Sequence, residues 1–328
     1  LIKESAGPGP GSGRFLGLAF SAAVFLAAAF AFSPRAIPEF PATGLRIDTV
    51  LVLGAARAGA RLVAAGERGR IFVSDDDGRS WRAARSPVEA MLTALYFHDG
   101  KLGWAVGHDA VILRTEDGGE SWEIARFAPE EERPLLDVRF RDARHGFAVG
   151  AYGTFLESRD GGRTWSARRV IDDDRHLNAL ARAPEERFFI AGETGLVLFS
   201  PDAGVNWSPL APPYKGSFFG AVAPAADDLL VFGLRGNVLH SPDLGRSWNA
   251  VANPSRASLM GGFVLAPGRA VLVGQDGTVL ETREGGRGAS LRRDPGGAAF
   301  AAVLPAADGS LLAFGERGVT RLPGAAGP

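Results

Sequence analysis

Five tryptophans, Trp81, Trp122, Trp165, Trp207 and Trp248, follow one another at intervals of 41, 43, 42 and 41 residues. A period of this length means that one supersecondary unit has been copied, and it restricts the chain to architectures built from stacked repeats. The residues before each tryptophan repeat as well, in the pattern Ser/Thr-x-Asp-x-Gly-x-Ser/Thr-Trp. The best copy runs Ser158-Arg159-Asp160-Gly161-Gly162-Arg163-Thr164-Trp165. The same columns hold Asp76, Gly78 and Trp81; Asp117, Gly119 and Trp122; Asp202, Gly204 and Trp207; and Asp243, Gly245 and Trp248. A decayed sixth copy reads Thr282-x-Glu284-x-Gly286-x-Gly288-Ala289. A short carboxylate and a hydroxyl can bond the backbone of a tight turn, glycine supplies positive φ, and tryptophan buries a wide apolar face just beyond it. The unit therefore reads as a hairpin turn followed by a strand, with the tryptophan in the core.

A second column gives the same period. Gly66-Glu67-Arg68-Gly69, Gly150-Ala151-Tyr152-Gly153, Gly192-Glu193-Thr194-Gly195, Gly233-Leu234-Arg235-Gly236, Gly274-Gln275-Asp276-Gly277 and Gly315-Glu316-Arg317-Gly318 share the form Gly-x-x-Gly, and Gly107-His108-Asp109-Ala110 has lost its last glycine. Short apolar runs flank every turn. Seven such turns predict an all-β, seven-bladed propeller of four-stranded antiparallel blades over residues 36–323, a single domain despite a length of 328. The last repeat lacks a turn-tryptophan unit. One period back from Trp81, residues 36–42 are expected to supply its outer strand, with Phe40 in the tryptophan position.

Residues 1–14, rich in Gly and Pro, are expected to be flexible, and 324–328 to form a tail. The run Phe15–Phe32, led by Arg14 and followed by Pro34 and Arg35, reads as a signal peptide or membrane anchor. The ring is then extracytoplasmic, in the bacterial periplasm or on the outer face of the inner membrane. A net charge of −1, from 36 basic and 37 acidic residues, gives no field that would favour nucleic acid. The absence of Cys removes disulfides, thiolate metal sites and a lipid-modified cysteine.

Catalysis needs convergent groups, and none stand out. The five histidines show no metal-binding spacing, and no nucleophile elbow or phosphate loop is present. The repeated aspartates suit turns better than acid/base work, because a catalytic residue is needed once rather than in every repeat. No cofactor or metal is expected. The middle positions of the Gly-x-x-Gly turns vary while the framing glycines repeat, which marks a face free for contact: Glu67, Arg68, His108, Asp109, Tyr152, Glu193, Arg235, Gln275, Asp276, Glu316 and Arg317. The connections Ala128–Pro134 and Val170–His176, with their acidic runs, should open on the same face.

The repeated unit is identified as the Asp-box, or bacterial neuraminidase repeat, found in sialidases, sorting receptors and non-enzymatic propellers. The longer strings Gly103–Gly107 with Val111–Trp122, and His145–Gly150 with Thr154–Trp165, resemble the seven-bladed photosystem II assembly and stability factor family over residues 45–322. That resemblance implies a non-enzymatic, exported scaffold that holds subunits of a membrane or envelope protein complex, and a monomer is expected. The competing class is a glycan-binding or sialidase-like glycoside hydrolase. It would use one of the three tyrosines, Tyr96, Tyr152 or Tyr214, and a carboxylate such as Asp109 or Asp276 at a channel mouth, with Arg35–Pro38 as a distant echo of the sialidase signature.

Overall fold

The computed structural model describes residues 12–31 and 46–324. The chain divides into two units, 1–44 and 45–328. In the first, one helix spans Ser12–Ala31. It takes in residues 12–14, part of the stretch expected to be flexible. Among the described residues no helix is long and apolar enough to cross a membrane. Residues 36–42 and the tail after Gly324 lie outside the described residues.

The second unit is a ring of seven antiparallel sheets among the described residues, each wound in chain order from the centre outward. Blade 3 is typical, with strands Leu135–Phe140, Gly146–Gly150, Phe155–Ser158 and Ser166–Ala167. Among the described residues, blades 1 to 6 have four strands and blade 7 has three, Phe300–Pro305, Leu311–Gly315 and Gly318–Leu322. The second strand of a blade is buried throughout, as in Gly146–Gly150, and its sequence is correspondingly apolar without alternation. The outer strands of blades 1, 3 and 5 are two residues long and exposed, whereas that of blade 6 runs to six.

Each blade carries the same irregularity. The innermost strand bulges beside the first glycine of the Gly-x-x-Gly turn, between Val52 and Gly54 in blade 1 and between Leu177 and Ala179 in blade 4. There the N–H after that glycine donates to the carbonyl just before the strand: Glu67 to Leu51 at 3.0 Å, Glu193 to His176 at 2.9 Å, Glu316 to Ala299 at 3.1 Å. A Cβ on Gly66 would sit 1.9 Å from the Leu51 carbonyl oxygen, so the glycine is required by close approach.

Blades stack with a constant sense, because the turn-tryptophan unit of each blade packs on the blade before it. Gly119 sits against Val63 of blade 1, Gly162 against Trp104 of blade 2, Gly204 against Phe147 of blade 3 and Gly245 against Leu210 of blade 4. Trp207 meets Phe147 and Phe155 edge-on at 6.4 and 5.8 Å. Trp122 is buried, 5% exposed, but Trp81, Trp165, Trp207 and Trp248 are only half-buried. The expectation of a core column is corrected to that extent: the outer strands are too short to cover the far side of the indole.

The ring closes between blades 7 and 1. Trp81 lies edge-on to Phe314 at 5.9 Å. Asp77, beside the first of the repeated aspartates, accepts hydrogen bonds from Arg57 at 2.9 Å and from the Ala307 N–H at 2.7 Å, and its carbonyl accepts one from Arg321 at 2.5 Å.

Candidate functional site

The recurring aspartates spend their oxygens on their own turns. In blade 3, Asp160 accepts the N–H groups of Arg163 and Thr164 at 3.0 and 2.9 Å, the Thr164 hydroxyl at 2.5 Å and the Ser158 hydroxyl at 2.9 Å. The Trp165 indole N–H donates to the Gly162 carbonyl at 3.1 Å. The two side-chain donors and the N–H four residues on recur around Asp76, Asp117, Asp202 and Asp243, with Asn206 replacing the second hydroxyl in blade 4, and the indole bond recurs at Trp81, Trp122 and Trp207 but not at Trp248. These are turn locks rather than reactive acids. Burial pushes the Asp160 carboxyl up, but the Thr164 and Ser158 hydroxyls and the two N–H groups outweigh it and hold the group at about 2. Donation from Ser80 likewise lowers Asp76.

A depressed folded-state value means that the locks stabilise the fold fully above the unfolded-chain value of about 3.9 and lose that contribution as pH falls through the folded value. The melting temperature is therefore expected to hold steady above about pH 4 and to drop between about pH 4 and 2, the window set by Asp160. Asp160→Asn should flatten that part of the profile measured by circular dichroism; an unchanged acid limb would contradict the locks.

At the other end of each blade, the Gly-x-x-Gly turns abut the connections that lead to the next blade. Gly69 faces Val88, Gly153 faces Asp173 and Gly195 faces Tyr214, so turns and connections share one face, as expected. The two middle positions behave differently. In blades 4, 6 and 7 the first is tied down: Glu193 accepts the His176 N–H at 3.2 Å, Gln275 that of Ser258 at 3.3 Å and Glu316 that of Ala299 at 3.0 Å, while in blade 1 Glu67 lies 3.7 Å from Arg70. The second turns outward with φ between 53 and 58° at Arg68, Asp109, Tyr152, Thr194, Arg235 and Asp276. Thr194 belongs to this set by position although its chemistry had not marked it out. His108 is exposed, and Tyr152 is half exposed and edge-on to His176 at 5.1 Å.

Arg68, Arg235 and Arg317 are exposed, and among the described residues no acceptor or carboxylate engages their guanidinium groups. The acidic connections, by contrast, partly neutralise themselves: Arg126 pairs with Glu131, and Arg175 with Asp173 at 2.7 Å. Between them lies a groove of about 510 Å³ lined by Arg126, Arg133, Tyr152, Arg168 and Ile171.

The innermost strands enclose a central cavity of about 570 Å³. Asp109 and Asp276 do not line it, which corrects the expectation of carboxylates at the channel mouth: both ride on turns one strand further out. Among the described residues the cavity's one acid is Asp137, whose Oδ1 accepts from Arg139 Nη1 and the Val138 N–H, both at 2.8 Å, and whose Oδ2 accepts the Leu180 N–H of the next blade at 2.8 Å. Burial raises its carboxyl and the neighbouring Arg139 opposes that. Tyr96 and Tyr214 donate to the Phe140 and Leu234 carbonyls at 3.0 and 3.1 Å. The Arg35–Pro38 string lies outside the described residues. Among the described residues no cluster of His, Asp or Glu could hold a metal ion.

Residues 73–135 and 128–254 match the family model described as photosynthesis system II assembly factor YCF48. Among curated proteins, the chloroplastic photosystem II stability/assembly factor HCF136 of Cyanidioschyzon merolae is 36% identical over 64 residues, 19% of this chain and 15% of the relative. The photosystem II assembly protein Ycf48 of Thermosynechococcus vestitus is 38% identical over 47 residues, 14% of each chain. The match thus spans about a seventh of either relative's length. Two solved structures share the fold. YCF48 bound to D1 peptide superposes with a TM-score of 0.68 at 16% identity, covering 85% of this chain and 94% of that one. YCF48 from Cyanidioschyzon merolae gives 0.67 at 15% identity, covering 87% and 97%.

Proposed function

Because this chain belongs to the photosynthesis system II assembly factor YCF48 family, we propose that it is a non-enzymatic assembly scaffold whose Gly-x-x-Gly face holds a segment of a membrane-complex subunit. The observation that carries the reading is the set of three unengaged guanidiniums, Arg68, Arg235 and Arg317, presented on rigid turns from blades 1, 5 and 7. An unpaired arginine on a pre-organised turn retains its hydrogen-bonding capacity for a partner carboxylate or backbone carbonyl. Asp109 and Asp276 alternate with these cations on the same face and set the register of a partner of mixed charge. The neighbour solved with a D1 peptide supports a peptide-like partner. An envelope complex would be met by the same chemistry.

We extend the proposal to location: residues 15–32 serve as an export signal or anchor, and the ring works outside the cytoplasm as a monomer. The helix over Ser12–Ala31 is compatible with that role. A sialidase-like activity has no support from the turn aspartates, which are consumed by their own backbone.

Fluorescence anisotropy with a labelled D1 peptide is the direct test. Replacing Arg68, Arg235 and Arg317 together with Ala should weaken binding at least tenfold, the equivalent of about 1.4 kcal/mol, with an unchanged melting temperature. Undiminished binding by the folded triple variant would refute the assignment of this face.

A further inference from the structure

The bulge that recurs in all seven blades leaves one residue unpaired in each: Leu53, Thr93, Leu136, Asn178, Phe219, Met260 and, in blade 7, Ala301. All seven line the central cavity. A bulge re-aims a side chain that regular pairing would fix, and here it builds a collar at the end of the cavity next to the Gly-x-x-Gly turns. The collar is predominantly hydrocarbon. Its two polar members each commit a donor: the Thr93 hydroxyl donates to the Leu135 carbonyl at 2.7 Å, and the Asn178 amide NH₂ to the Phe218 carbonyl at 2.8 Å, each reaching into the following blade. Met260 is 39% exposed.

At the opposite end of the same cavity stand two guanidiniums, each paired with one carboxylate, Arg57 with Asp77 at 2.9 Å and Arg139 with Asp137 at 2.8 Å. Arg57 and Arg139 line the cavity, 30% and 31% exposed. Arg57 commits Nη2, to Asp77 and the Pro305 carbonyl, and Arg139 commits Nη1; the remaining N–H groups of both have no partner among the described residues. Both oxygens of Asp137 are occupied by protein donors, so the open donors at this end are those remaining guanidinium N–H groups.

We propose that the central cavity is a binding site for a single-chain fatty carboxylate, its tail against the bulge collar and its carboxylate at Arg57 and Arg139. Hydrogen-bond complementarity selects the head group, because a carboxylate accepts the free guanidinium N–H groups in a partly desolvated setting. The collar selects the tail. A peptide threaded there would bury backbone N–H and C=O groups against hydrocarbon with nothing to bond, an unfavourable arrangement that an alkyl chain avoids. The cavity volume of about 570 Å³ falls among small-molecule sites, about 300–1,000 Å³. This site is separate from the outward face of the turns, so either proposal can fail without the other.

The test is isothermal titration calorimetry of the delipidated full chain with decanoate below its micellar concentration, beside decanol, decyltrimethylammonium and the blocked peptide acetyl-Leu-Met-Phe-amide. Saturable one-to-one binding of decanoate is expected, with decanol and decyltrimethylammonium at least tenfold weaker. Arg139→Gln should weaken decanoate at least tenfold and leave decanol unchanged. Met260→Asp, at an exposed position that the fold does not need, should weaken both. No saturable decanoate binding, equal binding of the cationic analogue, unaltered decanoate binding by folded Met260→Asp, or tighter binding of the blocked peptide would each overturn the proposal.

Discussion

Gly162→Ala is expected to lower stability by roughly 2–4 kcal/mol, against about 1 kcal/mol for Gly309→Ala. Both glycines have positive φ, 77° and 81°, so both variants suffer the left-handed penalty of a Cβ. They differ in surroundings. A Cβ on Gly309 has nothing within 4 Å, whereas one on Gly162 lies 2.0 Å from Trp104 Nε1. Trp104 is fully buried, stacked on Phe140, and donates its indole N–H to the Gly161 carbonyl at 3.2 Å. It cannot retreat without breaking that bond and the packing between blades 2 and 3. Urea denaturation of the two variants in parallel separates the terms; equal losses would mean that the blade interface yields at little cost.

Asp137→Ala should be at least as damaging, about 3–5 kcal/mol, on the order of 10 °C in melting temperature. The carboxylate accepts the Leu180 N–H across the gap between blades 3 and 4, and it also holds Arg139, which lies over the Tyr96 ring at 5.8 Å. Removing it strands a buried amide and a partly buried guanidinium. Asn is not a rescue. With donors facing both oxygens, the amide NH₂ must oppose either Leu180 or the Val138 and Arg139 pair. Scanning calorimetry showing a loss below about 1 kcal/mol for Ala would place the inter-blade contribution elsewhere.

The parts of this molecule that could be read from the chain are those the chain says seven times. The box aspartates, their tryptophans and the framing glycines each recur at the blade period, and the blades, their order and the turn locks follow from them. The three-stranded last repeat was legible for the same reason, by a missing copy. Asp137, Asp77 and the Arg57–Arg139 end of the cavity occur once, on strands that otherwise read as apolar, so no periodicity announces them. The bulge collar fails differently: Leu53, Phe219 and Met260 share a column at the blade period, but with dissimilar side chains the column looks like ordinary core. The candidate face was half legible. The turns were found, yet only the structure separates the first middle position, which braces its own strand, from the second, which faces solvent.

The constant sense in which each turn-tryptophan unit rests on the blade before it gives the ring an arrow of assembly. As the chain is synthesised from its N-terminus, blades 2 to 6 each meet a completed surface already waiting upstream. Blade 1 alone has no predecessor, and Trp81 with Asp77 must stay unmatched until Phe314, Ala307 and Arg321 arrive at the far end of the chain. The closing seam is thus the last to be sealed and the natural place for a nascent ring to linger open.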